Sequence, residues 1–265
     1  MSDICCYTII SRDLMLLRWA IENARARAGI GHEWLVVLWI NPDEPEEPSR
    51  RIAEWCTGNE VRVVPFTAPL KADFPDRTSW FLSSLYRAWN LGYSESNTKW
   101  VARMGSDTFF SKGWLAKLME AADAKGERSV FHTWCVESPI AKHSRHDIQD
   151  WGSTWQTFDL ARFENYASEQ AWRYQNQPVI PGDECNLRYF HPARGAQTRP
   201  DSCTWLMTKA LWQQYGPMKD HVNNEGVSGD VSFMDTLTDA GIKQYLVMNS
   251  ILFHLVRGES RGIQQ

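Results

Sequence analysis

The sequence predicts an α/β protein with a doubly wound, mostly parallel sheet that is flanked by helices. Continuous apolar runs such as Ile4–Ile10 and Trp34–Ile40 indicate strands that are buried on both faces. Between these two runs, apolar residues recur at helical spacing from Leu14 to Ala28. Strands that alternate with helices in this way are typical of βαβ units with parallel strands.

The same alternation continues along most of the chain. Further strands are predicted at Val61–Phe66, Trp100–Met104, Val130–Cys135, Cys203–Met207 and Ile242–Met248. Further helices are predicted at Ser49–Cys56, Ser79–Leu91, Trp114–Ala122, Thr208–Tyr215 and Val231–Ala240. The pattern breaks between residues 137 and 200, where aromatic residues are too frequent for a disordered linker. We expect an inserted subdomain there, or a lid over a cleft.

Composition narrows the class of protein. The 265 residues carry a formal net charge of −4, which argues against broad electrostatic binding of nucleic acid. Fourteen tryptophans supply flat rings that pack in cores and also stack on sugars and nucleobases. The six cysteines form no CxxC pair, so we expect reduced, mostly buried thiols. No apolar stretch approaches ~18 residues, so we predict a cytoplasmic protein without a transmembrane segment.

Polar residues follow three of the predicted strands. They are Ser11 and Arg12, then Asn41 and Asp43, and then the segment Gly105-Ser106-Asp107. In doubly wound sheets, ligands bind beyond the carboxyl ends of the strands. The sequence therefore predicts a ligand site at this edge of the sheet.

Two of the candidate residues suit a metal ion. Asp107 follows a strand, where a carboxylate is suited to hold Mg²⁺ or Mn²⁺ together with substrate phosphates. Its alternative role is an ordinary turn residue before the next helix. His254 lies between apolar neighbours on a short terminal strand and is either a half-buried side chain or a second metal ligand. Arg257 and Ser260 follow it and are candidate donors to a diphosphate.

A second carboxylate, Asp230, stands at the start of a predicted helix after Gly229. It is either a helix-capping residue or a general base that removes the proton of an attacking hydroxyl. Arg87 and Asn90 end the helix that precedes the Asp107 strand. Asn-x-Gly is a routine helix stop, and contact with a ligand is the alternative for Arg87 and Asn90.

These residues together resemble the GT-A fold glycosyltransferases of the family 2 type, over roughly residues 4–135 and 200–260. Gly105-Ser106-Asp107 is similar to the Asp-x-Asp motif of that family, and Gly229-Asp230 to its Glu-Asp pair. His254 resembles the late metal-binding histidine. Glycines 105 and 229 stand where the family usually has acidic residues. The Gln-x-x-Arg-Trp signature of processive synthases is absent.

The resemblance implies a metal-dependent, inverting and non-processive transferase that uses Mn²⁺ or Mg²⁺. It implies transfer of one sugar from a nucleotide-sugar, with UDP as the default, to a hydroxyl of a small molecule, glycan, protein or nucleic-acid base. Asp107 and His254 would hold the metal, and Asp230 would be the base. The donor would contact Ser11, Arg12, Asn41, Asp43, Arg87, Asn90, Ser106, Arg257 and Ser260.

The resemblance also implies one GT-A-like domain over residues 1–265. Residues 1–135 would be the nucleotide-sugar-binding half, 137–200 the insertion, and 201–265 the half that carries the acceptor site and the metal histidine. Two other functions remain open from the residues. A nucleotidyltransferase shares the sheet and the metal, but the first turn, Ser11-Arg12-Asp13, lacks the glycine-rich phosphate loop of that class. A non-catalytic carbohydrate-binding protein on a degenerate transferase fold would explain the glycine at position 105.

Overall fold

The computed structural model describes residues 3–139, 146–184, 188–191, 195–198, 203–219 and 229–255. The strands are β1 (Ile4–Ile10), β2 (Glu33–Ile40), β3 (Arg62–Thr67), β4 (Trp100–Arg103), β5 (Thr108–Phe110), β6 (Ser129–Glu137), β7 (Asp147–Ile148), β8 (Val179–Pro181), β9 (Arg188–His191), β10 (Gly195–Thr198), β11 (Trp205–Thr208) and β12 (Lys243–His254). The helices are α1 (Leu14–Arg27), α2 (Glu47–Gly58), α3 (Arg77–Glu95), α4 (Trp114–Lys125), α5 (Leu160–Arg173), α6 (Lys209–Tyr215) and α7 (Gly229–Asp239).

The chain divides into two compact units. Unit one comprises Met1–Leu14, His32–Arg103 and Met207–Ile242. Unit two comprises Met15–Gly31, Met104–Leu206 and Lys243–Gln265. Each unit therefore collects segments that are distant in the sequence.

Unit one carries a parallel sheet in the order β3-β2-β1-β4. Every residue of β1 is buried, as the unbroken apolar run predicted. Asp76 caps the N-terminus of helix α3, and its carboxylate accepts a hydrogen bond from the backbone N–H of Ser79. The same helix passes over β1 at Gly92, where any Cβ would overlap the ring of Tyr7. The predicted alternation of strands and helices is confirmed here.

Unit two carries a mixed sheet in the order β11-β6-β12-β5, with β7 beside β6 and β8 beside β12. Strands β6 and β12 are parallel, while β5, β8 and β11 pair with their neighbours in the antiparallel direction. Helix α1 is tied to this sheet by Asn23, whose Oδ1 accepts a hydrogen bond from Phe110 N at 3.0 Å. The α/β class is thus confirmed, and the antiparallel pairs are an addition that the sequence did not indicate.

One sequence prediction about the end of the chain was wrong. A strand at Ile242–Met248 and a separate short strand around His254 were expected, but β12 runs continuously from Lys243 to His254. Its pairing with β6 shifts between Val247 and Ile251. The polar residues of this irregular stretch gave the appearance of a break between two strands.

The described part of the aromatic-rich segment packs into the interior of unit two. Its residues share a hydrophobic cluster with β5, β6 and β12; the members from this segment are Trp151, Trp155, Phe158, Phe163, Tyr166 and Ala167. Trp172, in contrast, is 73% exposed. A role of the segment as a lid stays a prediction. Among the described residues, no helix combines the length and the hydrophobicity that crossing a bilayer requires.

Candidate active site

Asp107 and His254, the two predicted metal ligands, lie in direct contact in unit two. His254 Nε2 is 3.3 Å from Asp107 Oδ1, and both side chains are largely buried. The contact arises because β5 pairs with the end of β12, which sets His254 opposite Thr108. The backbone N–H of Leu255 also donates to the carbonyl of Asp107 at 3.0 Å. Both the side chain and the backbone carbonyl of Asp107 therefore hold its loop against the end of β12.

Glu137 lies on the other side of the same histidine ring, and sequence reasoning missed it. Its Oε1 is 3.0 Å from His254 Nδ1. The two residues are register partners at the ends of the parallel strands β6 and β12. Glu137 is buried, so its carboxylate is well shielded from water. A carboxylate at the end of the apolar strand β6 was the available signal, but its partner is 117 residues away.

Two thiols complete this cluster. Cys135 and Cys203 are buried, and their Sγ atoms are 3.8 Å apart. A hydrogen bond also links Cys203 with His254. The ligand atoms of Cys135, Cys203 and His254 all lie within 4.8 Å of one another. The sequence predicted these cysteines as buried thiols, but not that they would meet.

The environment of His254 favours its charged form. Burial by itself lowers the pKa of the imidazole, but electrostatic interactions with Cys203 and Asp107, together with hydrogen bonds to both, hold the pKa of His254 well above its usual value. Nε2 faces Asp107 and Nδ1 faces Glu137, so a proton on either nitrogen has a carboxylate acceptor. A divalent cation is the other species that can stand between His254 and Asp107.

Gly105, which stands where the resembled family usually has the first acidic residue of its motif, lies in a tight turn. A Cβ on Gly105 would lie 3.0 Å from Thr108 Cγ2 and 3.2 Å from Asp107 Oδ1. The hydroxyl of Thr108 also donates to the carbonyl of Gly105 at 2.8 Å, which closes the turn. A larger residue at 105 would therefore press on the carboxylate that is the candidate ligand. Ser106 lies in the same turn and is half-buried.

Asp230, the candidate base, lies in unit one in the first turn of α7. The hydroxyl of Tyr86 donates to its Oδ1 at 3.4 Å. Gly229 is sterically required: a Cβ there would overlap the carbonyl of Lys219 and lie 2.8 Å from Tyr86 Cδ2. The predicted helix start is confirmed, and the base role of Asp230 stays a prediction.

The residues after β1 and β2 that are candidates for binding the sugar donor are joined by Glu44, which the sequence did not indicate. Glu44 forms an ion pair with Arg12 at 3.5 Å and accepts a hydrogen bond from Asn41 Nδ2 at 2.8 Å. Asp43 N donates to Asn41 Oδ1 at 3.2 Å, and the Asp43 carboxylate pairs with Lys71 at 3.6 Å. Parallel strands with adjacent ends place these side chains at one edge, as predicted.

Other candidate donor residues have different surroundings. Asn90 joins two parts of unit one: its amide donates to Met218 O at 2.9 Å, and its Oδ1 accepts from Met218 N at 2.9 Å. Arg87 is exposed on α3, and Ser11 is half-buried after β1. Arg257 and Ser260 lie outside the described residues. The contacts of Asn90 give it a structural role, and its part in donor binding stays a prediction.

Comparison with known proteins agrees with this architecture. The family model described as "Glycosyl transferase family 2" matches residues 83–185, a stretch that includes Asp107 and Glu137. Among solved structures, the crystal structure of GalNAc-T7 with UDP, GalNAc and Mn²⁺ matches with a TM-score of 0.55 and 9% sequence identity. The match covers 96% of this chain but 44% of that chain, so the present sequence spans less than half of the GalNAc-T7 structure. No curated protein matches the sequence.

These findings define the class. The fold is that of a GT-A glycosyltransferase, and the chain resembles glycosyl transferase family 2 over the matched residues. The family match supports an enzyme of the glycosyltransferase class. The side chains of Asp107 and His254, one carboxylate and one imidazole, are suitable ligands for a divalent cation.

Proposed function

We propose that this protein is a metal-dependent glycosyltransferase that moves one sugar from a nucleotide-sugar to a hydroxyl acceptor. The observation that carries the proposal is the contact between Asp107 and His254, which joins two residues selected separately from the sequence. The family match and the GT-A fold support the transferase class. UDP is the proposed nucleotide, and the GalNAc-T7 structure, which contains UDP and Mn²⁺, is consistent with that choice.

Asp107 and His254 would hold the divalent ion, Mn²⁺ or Mg²⁺. When bound, the ion neutralises charge on the departing diphosphate. Glu137 would accept a hydrogen bond from the Nδ1–H group of His254 and thereby orient the ring, so that Nε2 faces the ion. The contact between Leu255 N and the carbonyl of Asp107 would keep the ligand loop in place.

Asp230 would act as the general base in a single displacement. Its carboxylate takes the proton of the acceptor hydroxyl, the acceptor oxygen bonds to the anomeric carbon, and the bond from that carbon to the diphosphate breaks. The configuration at the anomeric carbon is thereby inverted. Tyr86, which donates to Asp230 at 3.4 Å, would orient the carboxylate.

Arg12, Asn41 and Asp43 would bind the nucleotide. Their hydrogen bonds with Glu44 and Lys71 hold these side chains at the strand ends before the donor arrives. Pre-ordered side chains lose less conformational freedom on binding, which favours affinity. The remaining candidate donor contacts are Ser11, Arg87, Asn90, Ser106, Arg257 and Ser260.

The test is ligand-induced thermal stabilisation, followed by a turnover assay. Wild-type protein is heated with UDP, GDP, CDP or dTDP, each with and without Mn²⁺. A ligand that binds only the folded state stabilises it by about 2.7 kcal/mol at a hundredfold excess over Kd. We expect one nucleotide to give a metal-dependent shift that Asp107→Asn abolishes, and the matching nucleotide-sugar to be hydrolysed or transferred. Absence of a metal-dependent shift with every nucleotide would overturn the proposal.

A further inference from the structure

We infer that Cys135, Cys203 and His254 form a binding site for a thiophilic divalent cation of the zinc type. The inference goes beyond the proposed function, because the site needs only these side chains and no sugar donor. All three residues belong to unit two, and their ligand atoms lie within 4.8 Å of one another. Cys135 is carried by β6 and His254 by the neighbouring strand β12.

The separation of the two sulfur atoms matches a shared metal ion. A tetrahedral zinc site has Zn–S distances of about 2.3 Å, which places two sulfur ligands about 3.8 Å apart. Cys135 Sγ and Cys203 Sγ are 3.8 Å apart. A disulfide requires about 2.0 Å between the sulfurs. The two thiols are therefore not joined by a disulfide, and they already have the spacing of metal ligands.

His254 is oriented as metal-binding histidines are. Such residues usually give one ring N–H to a carboxylate, which fixes the ring and leaves the other nitrogen for the metal. Here Glu137 Oε1 lies 3.0 Å from Nδ1. A metal ion would replace the Nε2 proton, because metal and proton compete for the same lone pair.

Asp107 is an oxygen donor beside the same nitrogen. Zn–N and Zn–O distances of about 2.0 Å place two such ligands of a tetrahedral ion about 3.3 Å apart. The distance from His254 Nε2 to Asp107 Oδ1 is 3.3 Å. Asp107 is thus suited to the fourth position, which would otherwise be open to a substrate oxygen or to water.

The chemistry of the ligand atoms determines which metal ions this site should prefer. Thiolate sulfur favours zinc and similar ions, whereas Mg²⁺ and Mn²⁺ prefer carboxylate, carbonyl and water ligands. The thiols therefore bias the cluster toward zinc-type ions. A zinc-type ion held there would occupy His254 and compete with Mn²⁺ for the ligands of the proposed transferase.

The experiment uses Co²⁺ as a spectroscopic probe of the full chain, kept reduced with a phosphine. We expect Co²⁺ to produce a sulfur-to-cobalt charge-transfer band and the visible absorption of a tetrahedral ion. Zn²⁺ should displace Co²⁺ at concentrations at least about tenfold lower than Mn²⁺ requires, in line with the preference of thiolate ligands. Zn²⁺ should also protect the Cys135 and Cys203 peptides from alkylation, as measured by mass spectrometry.

Three variants locate the signal. Cys135→Ser and Cys203→Ser should each lose most of the charge-transfer intensity. Cys56→Ser is the matched control, because Cys56 is also fully buried but lies on α2 in unit one. If a serine variant does not fold, the alkylation measurement on wild-type protein decides. A cobalt spectrum without a thiolate band, or a band that survives both serine changes, would overturn the inference.

The outcome is separable from that of the proposed function. A thiolate–cobalt spectrum in a protein that binds no nucleotide would uphold the metal site and count against the transferase. Metal-dependent nucleotide binding in a protein without the thiolate band would uphold the transferase and reject the thiol site.

Discussion

The candidate metal cluster in unit two and the candidate donor and base residues in unit one are built in different ways. In unit two, Cys135, Glu137 and His254 stand on paired strands, and their positions follow from strand register. In unit one, Arg12 and Asn41 follow strands and Asp230 opens a helix, so they belong to loops and termini. Register fixes the spacing of buried groups closely, whereas loop residues depend on contacts with one another. Substitutions should therefore alter metal affinity in unit two, and turnover or donor affinity in unit one.

The largest expected effect is on turnover, from Asp230→Asn. Loss of a general base lowers a rate by about 10²–10⁴-fold. Binding of the metal and nucleotide should be unchanged, because the asparagine keeps the size of the side chain. Steady-state kinetics together with thermal stabilisation separate the two quantities. Asp239→Asn, an exposed change at the last residue of the same helix, is the control and should keep full activity. Equal losses in both variants would contradict the base role.

The next effect is on the free energy of unfolding, and it tests how much the aromatic cluster stabilises unit two. Trp151 is buried, and its ring lies 5.1 Å from the rings of Tyr166 and Phe253. Trp151→Ala should lower the free energy of unfolding by about 3–5 kcal/mol, since a large buried ring is removed. Trp172→Ala, at a 73% exposed position, should change it by less than about 0.5 kcal/mol. Urea denaturation gives both values, and similar losses would mean that the cluster is not a core.

Glu137→Gln tests the orientation of the histidine. A change at a carboxylate that orients a metal-binding histidine lowers metal affinity by about 10–100-fold. Calorimetric titration with Mn²⁺ and Zn²⁺ measures the affinity directly. Glu169→Gln, at an exposed position on α5, should leave it unchanged. An unaltered affinity in Glu137→Gln would show that the ring does not need this carboxylate.

The smallest effects compare Gly105 with Gly229, the glycines that precede the candidate metal ligand and the candidate base. Gly229→Ala forces a Cβ against Lys219 and Tyr86, and should cost about 1–3 kcal/mol through overpacking. Gly105→Ala meets only side-chain atoms at 3.0 Å and 3.2 Å and should cost less. Gly31→Ala, which meets nothing within 4 Å, is the control. Chemical denaturation ranks the three variants, and a reversed order would mean that the loop at Gly229 yields more easily than the turn at Gly105.

The sequence was informative wherever a short local pattern determined the structure. The apolar runs predicted β1, β2 and β4, and the polar residues after the first two of these strands do meet at one edge. The sequence also selected Asp107 and His254, whose contact is seen in the structure. A residue-level pattern was sufficient in these cases because the signal lies within a few positions of the chain.

The partners of those residues could not be predicted in the same way. Glu137 and His254 are 117 residues apart, and Cys135 and Cys203 are 68 residues apart. Their meeting depends on which strands pair and in which register, and one sequence does not specify that. Asn90 shows the converse case: a local Asn-x-Gly stop signal gave no hint that its amide would bind Met218.

The irregular stretch of β12 has a consequence for the histidine that follows it. Val247 faces Thr133 and Ile251 faces Trp134, so three residues of β12 are inserted between consecutive partners on β6. The pairing register of β12 before the irregular stretch is therefore independent of its register after that stretch. One extra residue within 248–250 would enlarge the irregular stretch and leave His254 opposite Glu137. One extra residue between Ile251 and His254 would turn the imidazole to the opposite face of the sheet.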